Sequence, residues 1–398
     1  MTQRSALQPI LLSRLNERQV ARALLKHGPS SRADLARFMG RTPPTVSKAV
    51  DSLLLSGHLE EIESASAFGR PAKRVTLASR YAQVLGLVID APACRLVVAG
   101  MDGQIRSEET CVFATPDTYE ELIQTATECA RTLMQRESVT TLGMGISIPG
   151  LVDYRQKRGL LSPNIPLTNG KCPGVDLAER LGIECVLVQE EHALCLAERC
   201  FGSAQGLDDF AMLDVSTGVG LGVMSGGRFL MGRSGFAGEI GHITVDLRGR
   251  RCGCGNRGCL ETVACDSALA WQVSQKLGRA ITIEDLLDPE QKEALSFDAE
   301  LEEMIDYLSV ALAAVINLFN PQSLFVHGRI FDFEEGMFQR VVAGARERAL
   351  TPSFNDCEIV QARGSKRQGT LAAIIEHLFD ARVAMVGGSD EEMYAAIS

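Results

Sequence analysis

From Asn16 to Gly40, apolar residues recur at helical spacing and predict two helices. Val20 and Leu24 place an apolar stripe on the first helix, and Gly28 ends it. Ser31 is a favourable N-cap for the second helix, and Gly40 suits the left-handed residue that commonly follows a helix. The two stripes predict a pair of helices that pack on each other.

A third helix follows at once and brings polar residues to its exposed face. Thr42 is a good N-cap, Pro43 suits the first helical position, and Val46, Val50 and Leu53 line one apolar face. A short turn between two helices at a steep angle is typical of a helix-turn-helix, whose second helix meets DNA with its N-terminal residues. The residues that we expect to contact DNA here are Arg41, Thr42, Thr45, Ser47 and Lys48.

A hairpin with a basic tip is predicted after the third helix. Residues 58–63 alternate as a strand, and residues 74–77 return as its partner. Arg70 and Lys73 lie between them and suit a wing that contacts the DNA backbone or minor groove. Residues 1–80 therefore predict a winged helix-turn-helix, with a protein-binding winged helix as the alternative.

The distribution of charge supports a nucleic-acid partner for this part of the chain. Of the 398 residues, the first 80 contain 13 Lys and Arg against 6 Asp and Glu, whereas the rest contain 27 against 44. A basic head of net charge +7 thus precedes an acidic body of net charge −17. The length predicts two or three domains. No apolar run reaches the roughly 18–20 residues of a membrane span, and the N-terminus lacks a secretory signal, so we expect a cytoplasmic protein.

Three of the twelve cysteines form a cluster with a histidine. His242, Cys252, Cys254 and Cys259 offer one imidazole and three thiolates, which complete a tetrahedral shell for a structural Zn²⁺ and leave no place for catalytic water. Chance clustering or a redox pair is the alternative. The other nine are expected to be reduced, buried thiols: Cys94, Cys111, Cys129, Cys172, Cys185, Cys195, Cys200, Cys265 and Cys357.

The sequence Gly238-Glu-Ile-Gly-His242, followed by Cys252-Gly-Cys-Gly-Asn-Arg-Gly-Cys-Leu-Glu261, resembles the ROK family of repressors and sugar kinases. The winged helix at the N-terminus resembles the family's sugar-responsive repressor branch. The resemblance implies an α/β fold, actin/hexokinase-like (ribonuclease H-like) and two-lobed, over residues 81–398, with lobes of approximately 81–185 and 186–398. It also implies sugar in the interlobe cleft and a homodimer or homotetramer.

The same resemblance implies a set of sugar-binding residues. A carboxylate accepts hydrogen bonds from sugar hydroxyls, and such bonds are strengthened by its charge. Two further family loops resemble residues 147–150 and 162–164 here. The implied ligand-binding residues are Gly150, Asn164, Gln189, Glu190, Glu239, His242 and Glu261.

Two departures from the family's kinases predict that this chain is not an enzyme. Where the kinases have a glycine-rich phosphate turn, this chain has Ala91-Pro92-Ala93-Cys94 after a strand, and proline offers no N–H to a phosphate. Where they have Asn-Asp, whose Asp deprotonates the sugar, this chain has Gln189-Glu190, with a one-residue shift to Glu191 left open. Because other members of the family are kinases, an ATP-dependent sugar kinase is kept as the alternative function.

These observations predict a sugar-responsive transcriptional regulator, with repression of carbohydrate genes as the expected role. Two copies of the winged helix would bind an inverted-repeat operator in double-stranded DNA. The effector is expected to be a sugar or a sugar phosphate, and the sequence leaves its identity and the sign of the response open. A regulator controlled by a sugar-transport protein is the remaining alternative.

Overall fold

The computed structural model describes residues 3–63, 73–136, 138–288, 290 and 295–384. The chain divides into two compact units, one of Met1–Gln205 with Ser365–Ser398 and one of Gly206–Gly364. The expected boundary lies near residue 185, whereas the first unit extends to Gln205 and the last helix returns to it. Sequence order alone does not show that return.

The described part of residues 1–80, the head of the first unit, contains three helices and an antiparallel pair of strands. Its second helix begins as expected, because the Ser31 hydroxyl accepts a hydrogen bond from the Asp34 N–H at 3.1 Å, and Gly40 ends it in the left-handed conformation. The first helix is longer than predicted. The elements are α1 (Gln3–His27), α2 (Arg32–Met39), α3 (Pro43–Leu55) and the antiparallel pair β1 (Leu59–Glu63) and β2 (Lys73–Leu77).

The first lobe, which is the rest of the first unit, contains a five-stranded sheet with both faces covered. Its strand order is β5 (Ile105–Ala114), β4 (Ala93–Ala99), β3 (Ala82–Val88), β6 (Thr140–Ile148) and β9 (Glu184–Gln189), of which the last three are parallel. Alternate residues of one strand enter opposite cores, as the two-residue period requires: Val84 faces one cluster and Leu85 the other. The elements are β3 (Ala82–Val88), β4 (Ala93–Ala99), β5 (Ile105–Ala114), α4 (Tyr119–Met134), β6 (Thr140–Ile148), β7 (Leu151–Asp153), β8 (Arg158–Leu161), α5 (Pro173–Leu181), β9 (Glu184–Gln189), α6 (Glu190–Phe201) and the returning C-terminal helix Lys366–Ala384.

One hydrophobic core joins the head to the first lobe. Val20 and Leu24 of α1, Val84 of β3 and the C-terminal-helix residues Ile374 and Phe379 belong to a single cluster of buried side chains. None of these five side chains is more than 4% exposed. Head and lobe are therefore packed together, not merely linked by chain.

The second unit contains another five-stranded sheet, of order β12-β11-β10-β13-β14. The long helix Asp298–Phe319 packs an apolar face into the core of this unit, where Leu308, Leu312 and Val315 are buried. The elements are β10 (Phe210–Val215), β11 (Val219–Ser225), β12 (Arg228–Phe229), α7 (Asp266–Leu277), α8 (Ile283–Leu287), α9 (Asp298–Phe319), β13 (Ser323–His327), α10 (Met337–Arg348), α11 (Thr351–Asp356) and β14 (Glu358–Gln361); the returning helix Lys366–Ala384 is α12.

Two cysteines differ from their prediction. Cys111 in β5 and Cys129 in α4 form a disulfide, so the expectation of reduced buried thiols is wrong for this pair. No pattern near either cysteine predicts the disulfide, because the pairing depends on how α4 packs beside the edge strand. Among the described helices, none combines the length and the apolar character needed to span a bilayer.

Candidate functional site

Four side chains of the second unit gather in the loop between β12 and α7 and form a cluster suited to a metal ion. The ligand atoms of His242, Cys252, Cys254 and Cys259 all lie within 4.8 Å of one another. Two separations are 3.8 Å, between the sulfurs of Cys254 and Cys259, and 3.6 Å, between Cys252 Sγ and His242 Nδ1. A tetrahedral ion with metal–sulfur bonds of about 2.3 Å requires sulfur–sulfur edges of about 3.8 Å. The predicted ligand set is thus assembled in the right geometry.

The loop that carries this cluster also positions two carboxylates. His242 turns Nδ1 toward Cys252, and its Nε2 lies 3.8 Å from a Glu239 oxygen. Glu261 accepts a hydrogen bond from the Val219 N–H at 3.4 Å, at the start of β11. Burial raises the pKa of Glu239, and the neighbouring His242 opposes that shift. Three of the predicted ligand-binding residues therefore meet in the second unit.

The remaining predicted ligand residues lie in the first lobe. Gln189 ends β9 and is buried, and its Nε2 donates to the Gly150 carbonyl at 3.1 Å. Gly150 has a φ of +82°, and a Cβ there would lie 2.2 Å from the Leu161 carbonyl oxygen. The lack of a side chain at this position thus serves the chain's own packing. Asn164 is exposed on the following loop.

Two buried oxygen atoms beside this point have no hydrogen-bond partner among the residues that the structure describes. They are Ser147 Oγ, near the end of β6, and Gln189 Oε1. The strands are neighbours, since Ile148 pairs with Gln189 in register. A buried polar group without a partner is unfavourable by about 1–3 kcal/mol, and a ligand that offers hydrogen bonds would relieve this.

The position expected to hold a catalytic base is already engaged in an ion pair. Glu190, the first residue of α6, lies 2.9 Å from the Lys366 ammonium, and Asp90 lies 4.0 Å from the same nitrogen. Both partners of the closer pair are only 12% exposed. Sequence reasoning missed Lys366, because it is distant in the chain and carries no motif.

A buried tyrosine and a buried histidine support the junction of β9 and α6, where Gln189 and Glu190 lie. The Gln189 N–H donates to the Tyr154 hydroxyl at 3.1 Å, so the hydroxyl proton is available to His192 Nδ1, 2.7 Å away. Burial lowers the pKa of His192 to about 4, which keeps the imidazole neutral at neutral pH. A neutral ring with Nδ1 as acceptor matches this hydrogen bond.

The predicted DNA-contacting residues lie at the surface of the head. Arg41, Thr42 and Lys48 are exposed, whereas Thr45 and Ser47 are partly buried. The hydroxyls of Thr42 and Thr45 lie 2.9 Å apart, so Thr42 bonds to a side chain and makes no side-chain cap. Lys73 lies 2.7 Å from a Glu61 oxygen, and Arg70 lies outside the described residues.

Comparison with known proteins assigns the family. The model of the ROK family matches residues 84–377, which is most of the chain. The chain belongs to the ROK family. The family and the two-part α/β fold predicted from the sequence are therefore confirmed.

Repressors are prominent among the ROK relatives. The chain is 29% identical over 364 residues to the DNA-binding transcriptional dual regulator NagC of Escherichia coli, covering 88% of this chain and 89% of NagC. It is 25% identical over 379 residues to the xylose repressor of Bacillus subtilis, covering 93% and 97% of the two chains.

Solved structures of ROK proteins include both regulators and kinases. A ROK transcriptional regulator, described as a homologue of the E. coli Mlc protein, matches with a TM-score of 0.77 and 25% identity, covering 95% of this chain and all of that one. A ROK glucokinase from Streptomyces griseus, in complex with glucose and AMPPNP, matches with a TM-score of 0.64 and 25% identity, covering 73% and 97%. The glucokinase match leaves out about a quarter of this chain.

Proposed function

We propose that this ROK protein is a DNA-binding transcriptional regulator whose affinity for its operator changes when a sugar binds. One observation carries the proposal: a three-helix head with Arg41 and Lys48 exposed shares its core with the lobe that holds Gln189 and Glu190. The relatives named as a DNA-binding transcriptional dual regulator and a xylose repressor support the same role.

Two features argue against sugar kinase activity. The Ala91 N–H, in the turn where kinases bind phosphate, donates to the Asp90 carboxylate at 2.8 Å, and the next residue is a proline. Glu190 is held by Lys366, and a carboxylate bonded to an ammonium is a weaker base for a sugar hydroxyl. We therefore propose a binding protein, not an enzyme.

The metal-binding cluster supports a structural Zn²⁺. Three thiolates and one imidazole form a closed tetrahedral set, which zinc prefers and which leaves no coordination position for water. His242 and Cys252 adjoin Glu239 and Glu261, so an ion there would fix the two carboxylates that we propose contact sugar.

A second candidate is regulation by a protein partner. It is favoured by Leu247, 89% exposed, and Ile243, 43% exposed, both in the loop that carries the metal-binding cluster. Apolar side chains exposed on such a loop suit a protein contact. A sugar-transport protein remains a prediction for that partner.

The test combines ligand binding with DNA binding. The purified protein would be screened by thermal shift against neutral sugars, their 6-phosphates and ATP, where a ligand at 100 times its Kd adds about 2.7 kcal/mol. Duplexes selected from a random pool would then be titrated by fluorescence anisotropy with and without the sugar that binds. A sugar that shifts both measurements supports the proposal. A shift with ATP, followed by phosphate transfer to sugar, would instead establish a kinase.

A further inference from the structure

Helix α12 connects Glu190, where we propose that sugar binds to the first lobe, with the head. Lys366, its first residue, contacts Glu190 of α6, and Phe379, thirteen residues later, packs against His58 with ring centroids 5.5 Å apart. At 1.5 Å per residue these two points are separated by about 20 Å along the helix. One rigid element thus touches both places whose coupling a sugar-responsive regulator requires.

The helix is fixed tightly to α6 between these points. A Cβ on Gly369 would lie 2.1 Å from the carbonyl oxygen of Ala193, so the two helix backbones are in direct contact there. Glu190 is the first residue of α6 and Ala193 lies one turn later, so a displacement of the start of α6 would also displace α12.

The far end of α12 holds the head by charge as well as by packing. Glu376 forms an ion pair with Arg199 of α6 and lies 3.9 Å from Arg22 of α1. Burial alone would raise the pKa of Glu376, but Arg199, Arg22 and Arg18 outweigh it and hold that pKa below its ordinary range. The carboxylate is therefore ionised and links α12 to α1.

We propose that Lys366 is the residue that reports ligand binding to the head. A ligand hydroxyl that donates to Glu190 takes the carboxylate from Lys366, and α12 then shifts and changes its contact with Arg22. The ligand hydroxyl and Lys366 compete for the same carboxylate oxygen, because Glu190 Oε1 is buried and already lies 2.9 Å from the Lys366 ammonium. This inference rests on the proposed function, because it assumes that Glu190 meets the sugar.

The test compares Lys366→Met with two matched variants in the full-length protein. Lys366→Arg keeps the ion pair, and Arg367→Met removes one positive charge from an exposed neighbouring position on the same helix. Affinity for a selected DNA duplex would be measured with and without glucose, xylose and N-acetylglucosamine, with sugar binding checked by calorimetry. We expect a sugar to change wild-type affinity by about 5- to 150-fold.

Lys366→Met should still bind the sugar, yet its DNA affinity should equal that of sugar-saturated wild type within about twofold, with or without sugar. Lys366→Arg and Arg367→Met should respond as wild type does. An undiminished response in Lys366→Met overturns the inference alone. A wild-type protein whose DNA affinity no sugar changes overturns the proposed function and the inference together.

Hydrogen exchange in the wild-type protein tests the inference without a substitution, should Lys366→Met fail to fold. Sugar binding should change amide exchange both in Lys366–Phe379 and in the part of α1 around Arg22. A change confined to α6 would show that α12 does not carry the signal.

Discussion

Replacing Phe379 with alanine should destabilise the head and the first lobe together. The side chain is 4% exposed and belongs to the core that contains Val20 of α1 and Val84 of β3. Removing a buried phenylalanine ring decreases the free energy of unfolding by about 3–5 kcal/mol. In a unit of this size each kcal/mol lowers Tm by about 2–4 °C, so a decrease of about 10 °C is expected.

Differential scanning calorimetry on the full-length protein measures this change, with urea unfolding as a second measurement. The matched control is Phe38→Ala, because Phe38 is 42% exposed and stacks on the His27 ring with centroids 4.1 Å apart. The control should lose less than about 1.5 kcal/mol. The reasoning fails if Phe379→Ala loses no more than the control, or if the head of the wild-type protein already melts separately from the lobe.

Three further predictions concern the metal, acid stability and DNA. Elemental analysis should find that Cys259→Ser has lost its bound zinc. Cys265 is buried nearby but lies outside the cluster, so Cys265→Ser should retain zinc. Equal zinc in the two variants would contradict the ligand set. Burial lowers the pKa of His192 to about 4, from about 6.5 in the unfolded chain. The contribution of the neutral ring to stability is therefore complete above pH 6.5 and decreases by up to about 3 kcal/mol as the pH falls to 4. His192→Gln should remove that part of the pH dependence of urea unfolding. Lys48→Ala should weaken DNA binding and reduce the salt-dependence slope by about one, and an unchanged slope would place Lys48 away from phosphate.

The parts of the fold that depend on local sequence were predicted well. Ser31 and Gly40 cap their helix as expected, because an N-cap and a left-handed C-cap are determined by a few neighbouring residues. The metal-binding cluster could also be predicted from local sequence, since its four residues lie within eighteen positions of one another. Their assembly requires only one loop to close.

Features that join distant parts of the chain were not predicted. Lys366 meets Glu190 only after α12 returns to the first lobe, and nothing near either residue signals that return. Cys111 and Cys129 are only 18 residues apart, yet their pairing was also missed, because it depends on how a helix packs against an edge strand. Hydrophobic periodicity identifies the buried face of each element but not the element that covers it.

The return of α12 also determines when the protein can mature during synthesis. A ribosome that has translated as far as Gly364 has completed the second unit, yet the first unit still lacks the helix that fills its core. Until that helix emerges, the side chains that pack on Leu371 and Ile374 remain in contact with water. A prematurely terminated chain would therefore carry the head on an unfinished support, exposed to proteases and chaperones. Under the proposed function, only the full-length product would bind DNA stably.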